Sequence, residues 1–187
     1  HSFPTRLSSD VGYLAGDGPV YSKMTGQQFL RYMGELQPPA TKVYRQELSK
    51  RMQATLDKPL GALSRGNRQK VSIIQAFMHQ PKLLILDEPS SGLDPLMQEV
   101  FYELIDESKA RGAAIFMSSH ILGEVQKICD RVGFIREGVL VDERNIAEMA
   151  QEAAQTIDLI FRDKAPLAKL KNLSCVHDAT ENNRHSV

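Results

Sequence analysis

The chain has 187 residues, and its 23 Lys and Arg residues balance its 23 Asp and Glu residues. An apolar fraction of 42% and a charged fraction of 25% are typical of a globular protein of one domain, or one and a fraction, and exclude a disordered chain. The zero net charge argues against a nucleic-acid partner, and no apolar run approaches the ~18–20 residues that cross a bilayer.

The first third of the chain predicts a short strand and two amphipathic helices. Residues 10–14 have the pattern of a strand. Thr25 and Gln28 have the spacing of a capping box, which predicts a helix that ends before Pro38. A second helix is expected from about Thr41 to Leu56. The apolar stripes of these helices are Phe29, Leu30, Met33 and Leu36, then Val43, Leu48, Met52 and Leu56. We interpret the two helices as a helical subdomain.

Strands and helices alternate from Leu83 onward. The expected elements are a strand at 83–86, a helix at 95–109, a strand at 113–117, a helix at 122–129 and a hairpin of 132–135 with 138–141. The run Leu83–Leu86 is continuously apolar, as expected for a strand that is covered on both faces. This alternation with short links predicts an α/β domain with a largely parallel sheet.

The sequence pattern changes after a predicted helix near Ile146–Glu152. Residues 156–161 alternate like a strand with one polar face, and residues 166–170 predict a short helix. We expect a small α+β unit that is incomplete at the end of the chain, and a chain that is a piece of a larger protein. The two cysteines, Cys129 and Cys175, match no metal-binding spacing and are expected to be free thiols.

Two acidic residues, Asp87 and Glu88, directly follow the strand Leu83–Leu86. Ligands of open parallel sheets bind at the carboxyl ends of the strands, so these carboxylates are candidates for phosphate and Mg²⁺ chemistry. One of them can hold Mg²⁺ through its water shell, and the other can orient and deprotonate an attacking water. An ordinary polar turn after a strand is the alternative that these residues alone leave open.

Three further segments carry candidate phosphate-binding features. Ser64 can cap a helix, and Gly66 lets the backbone approach a ligand closely. A helix N-terminus is an anion site, although an ordinary capped helix gives the same pattern. Residues 89–95 form a tight loop after the acidic strand. His120 stands at the end of the next strand, within reach of a γ-phosphate, although a lone histidine is usually structural.

These segments in this order resemble the ATP-binding subunit of ABC transporters, most closely the ATPases of bacterial drug and antibiotic exporters. The corresponding motifs are the signature in Leu63–Asn67, Walker B in Leu83–Glu88, the D-loop in Ser91–Asp94 and the switch histidine in His120. Asn67 stands where Gln is commoner. The resemblance covers roughly residues 11–141.

Two features of that family are missing from these 187 residues. The Walker A P-loop should precede the strand at 10–14, and without it most of the phosphate-binding energy of such NTPases is absent. The aromatic residue that stacks on adenine is missing with it. Where the family usually has a Gln that contacts Mg²⁺, this chain has Gly16 and Asp17, and Asp17 is a candidate replacement. The chain alone is therefore expected to be inactive.

The resemblance implies a P-loop-NTPase-like, three-layer α/β core that is N-terminally truncated. The expected parts are a core remnant at 1–18, a helical subdomain at 19–62, the ATPase core at 63–143 and a C-terminal extension at 144–187. Mg²⁺ and ATP are the implied cofactors. The implied partners are a second ATPase subunit and a membrane permease that faces the helical subdomain. Such a protein is cytoplasmic and peripheral on the inner face of the membrane.

The resemblance also implies the roles of the site residues in a head-to-tail dimer. In each site, Asp87 holds Mg²⁺, Glu88 is the general base and His120 contacts the γ-phosphate. The residues that clamp this ATP from the other subunit are Ser64, Gly66 and Asn67, and Asp94 couples the two sites. The function implied is ATP hydrolysis that drives export of a drug, antibiotic or peptide. The alternative is a non-transport ABC protein or an inactive interaction module.

Overall fold

The computed structural model describes residues 10–16, 21–36, 42–152, 159, 161, 166–173 and 180. The chain divides into two compact units, His1–Ala147 and Glu148–Val187. The strands are β1 Val11–Leu14, β2 Leu83–Asp87, β3 Ala114–Ser118, β4 Arg131–Arg136 and β5 Val139–Asn145. The helices are α1 Gly26–Leu36, α2 Lys42–Arg51, α3 Arg65–Phe77, α4 Pro95–Ala110, α5 Leu122–Ile128, α6 Ile146–Glu152 and α7 Leu167–Lys171, with a 3-10 helix at Leu60–Ala62.

Three parallel strands form the sheet in the order β1-β2-β3, and β4 and β5 form an antiparallel hairpin. Leu14 at the end of β1 pairs with Leu86, and Asp87 at the end of β2 pairs with Ser118. The carboxyl ends of all three strands therefore meet at one edge. The parallel sheet with its α4 crossover confirms the predicted α/β class.

The sheet is packed on one face by α3 and α4, which contact β1 and β3 respectively. Leu84 and Leu86 on this face are buried. A side chain at Gly12 would overlap the Ala76 carbonyl oxygen of α3, so glycine permits this close approach. On the other face Tyr13 and Phe116 are exposed. Leu83 and Ile85 on this second face of β2 are half-buried, so the expected cover on both faces of this strand is partial in the described residues.

The helical part packs on α3 through both α1 and α2. The capping box is present, since the Thr25 N–H donates to Gln28 Oε1 at 3.0 Å and the Gln28 N–H donates to Thr25 Oγ1 at 3.2 Å. Two residues predicted on the apolar stripes, Leu36 and Val43, are exposed. The stripes are therefore shorter than the sequence pattern predicts.

Helix α2 ends at Arg51 rather than near Leu56. Gln53 has a φ of 49°, and the Ala54 N–H donates to the Ser49 carbonyl at 3.1 Å, which closes the helix in the manner of a Schellman motif. This position is usually Gly or Asn, so glutamine gives no stop signal in the sequence.

Ion pairs connect α2 with α4. Arg51 lies 3.1 Å from Glu103 and 2.8 Å from Glu107. The hydrogen bond with Glu107 is the largest cause of the raised pKa of the Arg51 guanidinium. These contacts attach the helical part to the core within the first unit. The boundaries proposed for the two subdomains and for the C-terminal extension stay predictions.

Three expectations fall on residues that are not described. The strand predicted at 156–161 lies largely outside the described residues, as do Asp17 and Cys175. Cys129 is a free, half-buried thiol whose pKa is raised by burial, as expected for an unreactive structural cysteine.

Candidate active site

The acidic residues at the end of β2 lie beside the end of β3. The Ser118 hydroxyl donates to Asp87 Oδ1 at 2.6 Å and accepts the Glu88 N–H at 3.0 Å. Ser118 thus bridges the Asp87 carboxylate and the Glu88 backbone. Asp87 is exposed, so its carboxylate can be reached by a ligand at this edge.

The turn after β1 reaches the same carboxylate. A Cβ placed on Gly16 would lie 3.0 Å from Asp87 Oδ2. The backbone of this turn is therefore close to the candidate Mg²⁺ ligand. Asp17 is the next residue, and its role as a weak metal ligand stays a prediction because it is not among the described residues.

Glu88 leaves the strand in a left-handed conformation with a φ of 46°. A non-glycine residue in this region costs of order 1–3 kcal/mol and persists only where its surroundings hold it. Its Oε2 lies 2.8 Å from Nδ1 of His120, which donates because a carboxylate only accepts. The structure therefore brings the predicted base and the predicted switch histidine into contact.

Helix α3 begins at the predicted cap. The Asn67 N–H donates to Ser64 Oγ at 3.2 Å, and Ser64 is exposed. The Asn67 side chain turns back to the loop after α2, where it accepts the Thr55 N–H at 2.9 Å and donates to the Thr55 carbonyl at 2.8 Å. Ser64 is thus exposed at the N-terminus of α3, and its contact with ATP stays a prediction. The Asn67 amide is engaged within its own chain, and its contact with ATP stays a prediction.

The start of α3 packs against the loop that follows Glu88. A Cβ on Gly66 would lie 2.5 Å from the Gly92 carbonyl oxygen, and Gly92 itself has a φ of 77°. Arg65 Nη2 donates to Ser91 Oγ at 2.8 Å. The segments that resemble the signature and the D-loop are therefore in direct contact within one chain.

Asp94 caps α4 as its Oδ1 accepts the Met97 N–H at 3.0 Å. Its Oδ2 lies 3.9 Å from Lys70 Nζ on α3. Both contacts lie within one chain, and the coupling of two sites through Asp94 stays a prediction.

Gln69 and Ser118, for which the sequence predicts no role, both hold the backbone at Glu88. Gln69 is 5% exposed, and its Nε2 donates to the Pro89 carbonyl at 2.8 Å and to the Glu88 carbonyl at 3.2 Å. The sequence signal that indicates a role for Gln69 is its helical spacing with Ile73, which puts a polar residue on the buried face of α3.

The donor set at the edge fits Mg²⁺ that is held jointly with phosphates. No group of three or more His, Cys, Asp or Glu that could hold a metal occurs in the part of the chain that the structure describes. Mg²⁺ commonly uses one or two carboxylates, its own waters and substrate phosphates, so it needs no such group. The exposed Asp87 carboxylate suits that mode of binding.

Comparisons with known proteins decide the family. The ABC transporter family matches residues 5–91. The ABC transporter ATP-binding protein NatA of Bacillus subtilis (strain 168) is 35% identical over 169 residues, which are 86% of this chain and 68% of NatA. The chain belongs to the ATP-binding proteins of ABC transporters. The bacitracin transport ATP-binding protein BcrA of Enterococcus faecalis is 34% identical over 170 residues, which are 88% of this chain and 54% of BcrA.

A solved structure of the ATP-binding subunit of an ABC transporter matches with a TM-score of 0.69 and 27% identity, over 80% of this chain and 64% of that one. This match confirms the predicted ABC ATPase fold. The chain thus spans between 54% and 68% of the length of these three ABC proteins. Among the described residues, no helix combines the length and apolar character needed to cross a membrane.

The contact between Gly66 and Gly92 predicts an asymmetry between two glycine-to-alanine substitutions. Gly66→Ala places a methyl group against a backbone carbonyl, and such overpacking typically costs about 1–3 kcal/mol. Gly123→Ala in α5 meets nothing within 4 Å and removes a helix-breaking glycine, so it is neutral or stabilising. Thermal unfolding is expected to show a lower midpoint for Gly66→Ala only. Equal midpoints would contradict the close packing of the two loops.

Proposed function

We propose that the native protein hydrolyses ATP to energise an ABC transporter. The observation that carries this proposal is the cluster at the sheet edge, where Asp87 and Glu88 lie side by side and Glu88 contacts His120 at 2.8 Å. Family membership supports ATP as the nucleotide. The name of BcrA, a bacitracin transport protein, supports export of a drug, antibiotic or peptide.

In this proposal Glu88 is the general base. A carboxylate has two oxygens, so the contact of Oε2 with His120 leaves Oε1 to accept a proton from the attacking water. His120 orients the Glu88 side chain and, since its ring is exposed, can also contact the γ-phosphate. Asp87 would hold Mg²⁺, which when bound neutralises charge on the phosphates.

The start of α3 acts on the nucleotide of a second subunit in a head-to-tail dimer. Ser64, Gly66 and the positive end of the helix dipole attract the phosphates, and Asn67 contributes to this clamp. The resemblance to ABC ATPases and the exposed position of Ser64 support this arrangement. Asp94 ends the loop that follows Glu88 and lies 3.9 Å from Lys70 of α3, which supports its role in coupling the two sites.

A membrane permease completes the proposed assembly. The helical subdomain faces it, and the permease keeps the ATPase at the inner face of the cell membrane. The support is family membership, because the ATP-binding proteins of ABC transporters act on a transporter.

Replacing the base is expected to separate binding from turnover. Glu88→Gln keeps the shape of the side chain but removes the proton acceptor, so ATP hydrolysis by the native protein falls on the order of 10²–10⁴-fold. ATP affinity is retained, as equilibrium nucleotide binding would show. Glu99→Gln on the exposed side of α4, which removes a surface ion pair with Lys127, is the matched control and leaves both unchanged. Unchanged hydrolysis by Glu88→Gln would remove Glu88 as the base.

These 187 residues on their own are expected to show negligible ATPase activity. The reason is that they contain no P-loop lysine or backbone cradle for the phosphates. A phosphate-release assay with Mg²⁺ and ATP measures this, and the same chain carrying Glu88→Gln controls for a contaminating ATPase. Robust Mg²⁺-dependent hydrolysis that disappears with Glu88→Gln would contradict the expectation.

A further inference from the structure

The backbone around Glu88 is held from both sides. On its amide side, the Glu88 N–H donates to Ser118 Oγ at 3.0 Å. On its carbonyl side, Gln69 Nε2 donates to the carbonyls of Glu88 and Pro89 at 3.2 and 2.8 Å. The two peptide units that set the direction of the Glu88 side chain are therefore each tied to a different element.

Gln69 occupies a position where an unsatisfied polar group would be costly. It lies in the buried face of α3 and is 5% exposed, and its buried neighbours are the apolar Val71, Ile73 and Ile74 together with Ser72, whose hydroxyl bonds within the helix. A buried amide without partners costs about 1–3 kcal/mol, so the two carbonyls explain how this polar side chain is accommodated. The bonds to the two carbonyls are what a glutamine contributes here and an apolar residue cannot.

The hydrogen bonds to the backbone stabilise the left-handed conformation of Glu88. With a φ of 46°, Glu88 occupies a region that non-glycine residues leave unless neighbouring contacts hold them. Relaxation to an extended backbone would redirect the side chain away from His120, because successive side chains of a strand point to opposite faces. The 2.8 Å contact between Glu88 and His120 therefore depends on the backbone contacts.

We propose that Gln69 is a positioning residue for Glu88: its buried amide holds the Glu88–Pro89 backbone in the conformation that aims the carboxylate at the reacting water. This proposal rests on the proposed function, in which Glu88 is the base. Gln69 touches no substrate and acts through the backbone of Glu88. Gln69 lies on α3, so the helix that Ser64 caps also supports the base.

The first test replaces the amide in the native protein. Gln69→Met keeps the length of the side chain and loses both donors, so kcat for ATP falls at least about tenfold, since a misplacement of 1 Å can cost about 10²-fold. The KM for ATP stays within about twofold because binding groups are untouched. Gln98→Met in α4 is the matched control, since its amide donates only a 3.5 Å bond to the Leu93 carbonyl. Wild-type kcat in Gln69→Met, or loss confined to KM, would overturn the proposal.

The second test varies the pH, and it still decides the question if the Gln69→Met protein fails to fold. In Gln69→Glu, the protonated carboxyl offers one donor to the backbone carbonyls, and the ionised carboxylate offers none. The ratio of its kcat to that of the wild type is expected to fall as pH rises from about 6 to about 9, since burial raises the pKa of a carboxyl. Unfolding midpoints above the assay temperature at each pH exclude loss of fold. A constant ratio would overturn the proposal.

Failure of this inference can be told apart from failure of the proposed function. Normal turnover in Glu88→Gln would show that Glu88 is not the base, and the positioning role of Gln69 would be overturned with it. Glu88→Gln without turnover, together with normal kcat in Gln69→Met, would keep the base and overturn only the role of Gln69. Loss of kcat in both variants, with the Gln98→Met control unaffected, supports the base and its positioning residue together.

Discussion

The backbone turn at Glu88 is the constraint on which the site depends. A chain that leaves β2 in an extended conformation would carry Asp87 and Glu88 to opposite faces of the sheet. The φ of 46° instead leaves Asp87 at Ser118 and directs Glu88 to His120. The conformation is intrinsically unfavourable, so its contacts with β3 and α3 make the arrangement of the two acids a property of the tertiary structure.

The same helix that supports this turn also begins at the exposed cap Ser64. Gly66 and Arg65 pack against Gly92 and Ser91, so the first turn of α3 and the loop after Glu88 are in direct contact. In the proposed dimer, the first turn of α3 serves the nucleotide of the partner and Glu88 serves the nucleotide of its own subunit. In this proposal, one packed junction within a chain connects the two composite sites of the dimer.

Local signals in the sequence predicted the elements that local chemistry determines. The Ser64 cap and the acidic pair at the end of β2 lie where their residue types and spacing indicate. The end of α2 was missed because Gln53 adopts a conformation that glutamine seldom has. The roles of Gln69 and Ser118 were missed because their partners are distant in sequence, and only the packing of α3 and β3 on β2 brings them together.

Mixed dimers test most directly whether one chain contributes to two sites. Ser64→Arg and Glu88→Gln would each inactivate a homodimer, and differently tagged subunits would be purified as mixed dimers. A dimer of one Ser64→Arg and one Glu88→Gln subunit keeps one intact composite site, so it is expected to hydrolyse ATP. A dimer of one doubly substituted and one wild-type subunit has a lesion in both sites and is expected to be inactive. Equal or reversed rates of the two mixed dimers would contradict the account.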